Sequence, residues 1–79
     1  MQMESITISL TRDEALVLFE WLARNTSVGD TPTIEDESER KALWILEGLL
    51  ENVLVEPLRP DYRELLTQAR GRLLAAPAR

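Results

Sequence analysis

The chain has 79 residues, 14 acidic against 9 basic, a net charge of −5, and neither Cys nor His. This composition excludes disulfides and the usual ligands of zinc, haem and iron–sulfur centres, and it argues against nucleic-acid binding, which draws its affinity from phosphate neutralisation. The length gives one helical domain over residues 1–79, with frayed ends at 1–3 and 76–79; a chain this short buries only about 60–65% of its unfolded surface, so association is the remaining route to stability.

Met1-Gln2-Met3-Glu4 has no basic n-region. The longest apolar run, Ala15 to Phe19, is far short of the roughly 18–20 residues of a membrane span. With Cys absent as well, the expected location is the cytoplasm.

Glu4-Ser5-Ile6-Thr7-Ile8-Ser9-Leu10 alternates, with Ile6, Ile8 and Leu10 on one face and Ser5, Thr7 and Ser9 on the other. That is the pattern of a half-buried strand. A lone strand leaves backbone groups unpaired, and no other segment matches it as well. The expected fold class is therefore mainly α, with one N-terminal β-strand followed by three amphipathic helices and the strand paired across a homodimer. Ile6, Ile8 and Leu10 are candidate interaction residues.

Thr11-Arg12-Asp13-Glu14 has capping-box spacing and starts a helix over about 12–25. Its apolar arc is Leu18, Leu22, Ala15, Phe19, Ala23 and Leu16, with Trp21 at the edge and Glu20, Arg24 and Asp13 on the polar side. Residues 26–33 read as a loop through Ser27, Gly29, Asp30 and Pro32.

The acidic run Glu35-Asp36-Glu37-Ser38-Glu39 suits the positive start of a second helix, over about 35–53, better than a metal site. The apolar face of that helix is Ala42, Leu43, Ile45, Leu46, Leu49, Leu50, Val53 and Leu54. Trp44 falls about 160° from Leu46 on the helical wheel, among Arg40, Glu47 and Glu51, with Gly48 a turn beyond. Two readings apply: Trp44 lies over long side chains or under the C-terminal segment, or it is a contact for another chain, since Trp is enriched in binding hot spots. Trp44 and Gly48 join the candidate interaction residues.

Residues 53–56 fit a frayed helix end or a short strand, and Pro57 and Pro60 stop regular helix. Asp61 is the expected cap of a third helix over about 62–75, with Tyr62, Leu65, Leu66, Ala69, Leu73 and Ala76 as its apolar line. Residues 59–79 carry 2 acids and 5 bases (+3), whereas residues 1–58 carry 12 acids and 4 bases (−8). The basic last helix is expected to dock on an acidic body.

No catalytic or cofactor motif emerges. The chain lacks His and a Gly-rich phosphate loop, its only Lys is Lys41, and Ser5, Ser9, Ser27 and Ser38 have no evident base. The expectation is a non-enzymatic protein–protein interaction module that needs no cofactor, in one version an acidic neutraliser of a basic protein partner.

The strand-helix-helix order from Glu4 to Leu54 resembles the ribbon-helix-helix repressors. That resemblance implies a dimer whose two-stranded ribbon enters the DNA major groove, and hence a transcriptional regulator. The chain departs from the pattern: Ser5, Thr7 and Ser9 replace the Arg, Lys, Asn or Gln that read bases, and the interhelical loop is longer. The stretches Leu10 to Leu22 and Val55 to Tyr62 resemble small uncharacterised bacterial proteins of this length, which implies a bacterial source and attaches no activity.

Overall fold

The structure, a computed structural model, describes residues 4–26 and 34–77. They form three helices, α1 (Arg12–Thr26), α2 (Glu37–Val53) and α3 (Tyr62–Ala75), with a 3-10 turn at Glu56–Leu58 before α3. Of the expected loop at 26–33, Thr26 belongs to α1; residues 27–33 and the frayed residues 1–3, 78 and 79 lie outside the described residues.

Local chemistry sets each start. At α1 the capping box is formed: the Thr11 amide donates to Glu14 Oε1 at 2.8 Å and the Glu14 amide donates to Thr11 Oγ1 at 3.1 Å. α2 begins two residues later than its acidic run suggests, because Asp36 is extended and takes the cap position. Its carboxylate accepts from the Ser38 amide at 2.7 Å, and the Ser38 hydroxyl together with this amide holds the Asp36 carboxyl below the usual carboxylate range. α3 has the expected bounds, but Asp61 does not cap it through its side chain. The Asp61 carboxylate accepts from Arg59 Nε at 3.1 Å instead, so the neighbouring guanidinium draws it off the helix end. Val53 closes α2, and Leu54 follows in extended conformation with its amide still donating to Leu50 O.

α1 is the central element and packs on both α2 and α3. The core is Ala15, Leu16, Phe19 and Leu22 of α1, Leu50 and Leu54 at the end of α2, and Leu66 and Ala69 of α3. This matches the α1 arc, whose width required more than one cover. The polar side of α1 is used as well. Arg72 of α3 grips Asp13 with two bonds of 2.9 Å, and Tyr62 donates to Glu20 at 2.7 Å. The basic last helix thus docks on the acidic body as charge asymmetry predicts. The Arg72 bonds hold the Asp13 carboxyl below its usual value, while burial, reinforced by the Glu20 bond, raises the Tyr62 phenol well above its usual value.

The N-terminal strand is the part of the fold expectation that the single chain does not show. Residues 4–10 carry no regular secondary structure, and every one is exposed. A strand exists only through a ladder, and no described segment of this chain supplies one; residues 53–56, which also fit a short strand, go to the end of α2 and the start of the 3-10 turn.

The domain is loosely closed for its size. Its radius of gyration is 14.2 Å, against about 12 Å for a compact chain of this length. It exposes 6521 Å², about a third more than the roughly 4,900 Å² of a compact monomer of this mass.

Candidate interaction surface

Helix geometry locates one part of the exposed apolar surface. The apolar residues of α2 span about half the helix circumference, and α1 covers only one side of that arc. Leu50 and Leu54 are buried and Leu43 and Leu46 partly so, but Ile45, Leu49 and Val53, at successive i, i+4 positions, remain 55%, 61% and 63% exposed. This stripe is what sequence reasoning missed. Periodicity assigned all eight apolar positions to one covered face, whereas the width of the arc, in a chain with so few elements to cover it, was the available signal.

The stripe does not stand alone. Ile6, Ile8 and Leu10 run along it, and between the two lies an open apolar groove of about 360 Å³, walled by Ile6, Ile8 and Leu10 on one side and Leu46, Leu49 and Val53 on the other. Ile6 is 90% exposed and Ile8 69%, so residues 4–10 edge the groove without filling it. Leu10 is better covered, because its neighbour Thr11 is fixed in the capping box. The base of the segment is pinned again by Arg12, whose guanidinium donates to both Glu56 carboxylate oxygens at 2.8 and 3.1 Å. That bond lowers the Glu56 carboxyl below its usual range and raises Arg12.

A second groove, of about 390 Å³, lies where α3 ends beside the start of α1, between Asp13 and Glu14 on one side and Arg72, Leu73 and Pro77 on the other. Its polar groups already serve the capping box and the Asp13–Arg72 pair, so it offers a ligand little that is unused.

The five candidate residues separate into two surfaces. Ile6, Ile8 and Leu10 meet at the apolar groove. Trp44 and Gly48 do not line it; they lie on another flank of α2, where Trp44 is 55% exposed and outside the core, and a Cβ added at Gly48 would meet nothing within 4 Å. Beside Trp44, Arg40 is buried and reaches Glu37 at 3.5 Å, which sequence patterning had assigned to the polar face. Among the described residues no helix is long and apolar enough to cross a membrane.

Comparison with known proteins adds no relative: no family model, curated protein or solved structure matches this chain.

Proposed function

We propose that this chain is a non-catalytic protein–protein interaction module that works as a homodimer, with the face made by residues 4–10 and the α2 stripe as its self-association surface. One observation carries the reading: Ile6 and Ile8 share a groove with Leu49 and Val53, Ile45 continues the α2 stripe one turn on, and all five are more than half exposed. Contiguous apolar patches of this kind mark association sites. Strand pairing of residues 4–10 across the dimer belongs to the same proposal. Glu4 to Ile8 make no hydrogen bond among the described residues, so their backbone groups are available to a second copy.

The flank of α2 that carries Trp44 is the surface for a different protein. There a half-exposed aromatic sits among Arg40, Lys41, Glu47 and Glu51, with Arg40 buried and reaching Glu37, so that the exposed acids outnumber the exposed bases and suit a basic partner. Regulation of transcription in the manner of ribbon-helix-helix proteins is the weaker reading, since Ser5, Thr7 and Ser9 at the positions that would read bases and the net charge of −5 both disfavour DNA. Sedimentation equilibrium at micromolar concentration tests the dimer. The expected result is twice the chain mass of 9.0 kDa, and a monomer throughout overturns the proposal.

A further inference from the structure

The groove beside residues 4–10 is a site that one chain leaves unfinished. An engineered apolar cavity of about 150 Å³ takes up a benzene molecule, so 360 Å³ is room for about two aliphatic side chains. The chain's own segment edges this space but is pinned at its base by Thr11, Glu14 and the Arg12–Glu56 pair. We infer that the groove is completed by a second copy, whose Ile6 and Ile8 seat against Leu49 and Val53 while the first chain does the same in return. The inference rests on the homodimer reading and specifies its geometry.

Two observations select a second copy as the occupant. The first is charge. Lys41 and Asn52 flank the α2 stripe on one side, and the helical period puts Glu47 and Glu51 about 160–200° from Leu49. Among the described residues no carboxylate lines the groove, so a chain of net charge −5 meets its copy here across apolar walls, with Glu4 at the outer end of the segment, and a basic partner finds nothing in the groove to select it. The second is area. At their observed exposures Ile6, Ile8, Leu10, Ile45, Leu49 and Val53 offer on the order of 600 Å² per protomer. A two-fold pair that covered all of it would bury at most about 1,200 Å², the lower edge of the standard class of specific interfaces.

The chain has no Cys, so single thiols report the geometry directly. Ile8→Cys and Val53→Cys proteins, both altered at exposed positions, are mixed in equal amounts and treated with a short bis-maleimide. The expected product is a linked pair of twice the chain mass, formed in the mixture well above the level of either protein alone. An Ile6→Cys and Leu49→Cys mixture repeats the measurement at a second contact, and circular dichroism checks that each variant is folded. Sedimentation of the same samples separates the outcomes. A dimer in which the Ile8→Cys/Val53→Cys double variant closes only within one chain, with no link in the mixtures, overturns the reciprocal seating and leaves the homodimer standing. A monomer by sedimentation overturns both.

Discussion

Leu49 and Leu50 are sequence neighbours with the same side chain, and the structure assigns them opposite consequences. Leu50 is 6% exposed in the core and Leu49 is 61% exposed on the stripe. Truncating a core leucine to alanine costs about 2–5 kcal/mol. A domain of 79 residues has a total stability of roughly 4–12 kcal/mol, so Leu50→Ala should remove a large share of it and lower the urea midpoint accordingly. Leu49→Ala removes side chain that is mostly in water already, and should cost the monomer about 1 kcal/mol or less. In the dimer the same truncation removes roughly 1–2 kcal/mol of buried apolar surface from each copy, which weakens association about thirtyfold to a thousandfold. Urea unfolding followed by Trp fluorescence at sub-micromolar concentration gives the first quantity, and sedimentation equilibrium gives the second. Equal losses of folding stability in the two variants would refute the packing of α2. Unchanged self-association of Leu49→Ala would refute the stripe as an interface.

Three further outcomes are expected. Thr11→Ala should cost about 1 kcal/mol, the worth of a side-chain N-cap, and an unchanged denaturation midpoint would show the capping box to be dispensable. The Tyr62 phenol is raised above its ordinary value of 10.0, so its contribution is complete below about pH 10 and is lost as the pH rises through its folded value. Stability measured by urea titration should therefore fall in alkali for the parent chain and stay flatter for Tyr62→Phe; parallel curves would remove Tyr62 as the cause. Trp44→Ala should lower folding stability by only about 1–2 kcal/mol, because the side chain is half-buried, and should leave sedimentation of the dimer unchanged, whereas a shift to monomer would place Trp44 in the self-association face.

The helices were legible because their signals are local. Thr11 with Glu14 starts α1, Pro60 precedes α3, and both apolar arcs recur at the helical period. What lay beyond the sequence depends on competition between groups. Periodicity says that Ile45, Leu49 and Val53 belong to an apolar face; it does not say that α1 covers only the Leu50 and Leu54 side of it. Asp61 has the residue type of a cap, but Arg59 two positions away claims its carboxylate. The alternation of residues 4–10 reports a preference for pairing without naming the partner, and no second strand lies in the described part of the chain. Arg40 read as a surface residue, and its burial follows from packing rather than from its neighbours in sequence.

Because α1 touches both other helices while they share far less contact with each other, opening of the domain has an order that differs from chain order. Lifting α3 requires loss of the Arg72–Asp13 and Tyr62–Glu20 bonds and exposes Leu66 and Ala69, yet leaves α1 against α2. Lifting α2 leaves α1 against α3. Amides around Leu16, Phe19 and Leu22 are released only when both neighbours have gone. Hydrogen exchange should therefore be slowest in the first helix, with the outer helices exchanging through cheaper partial openings.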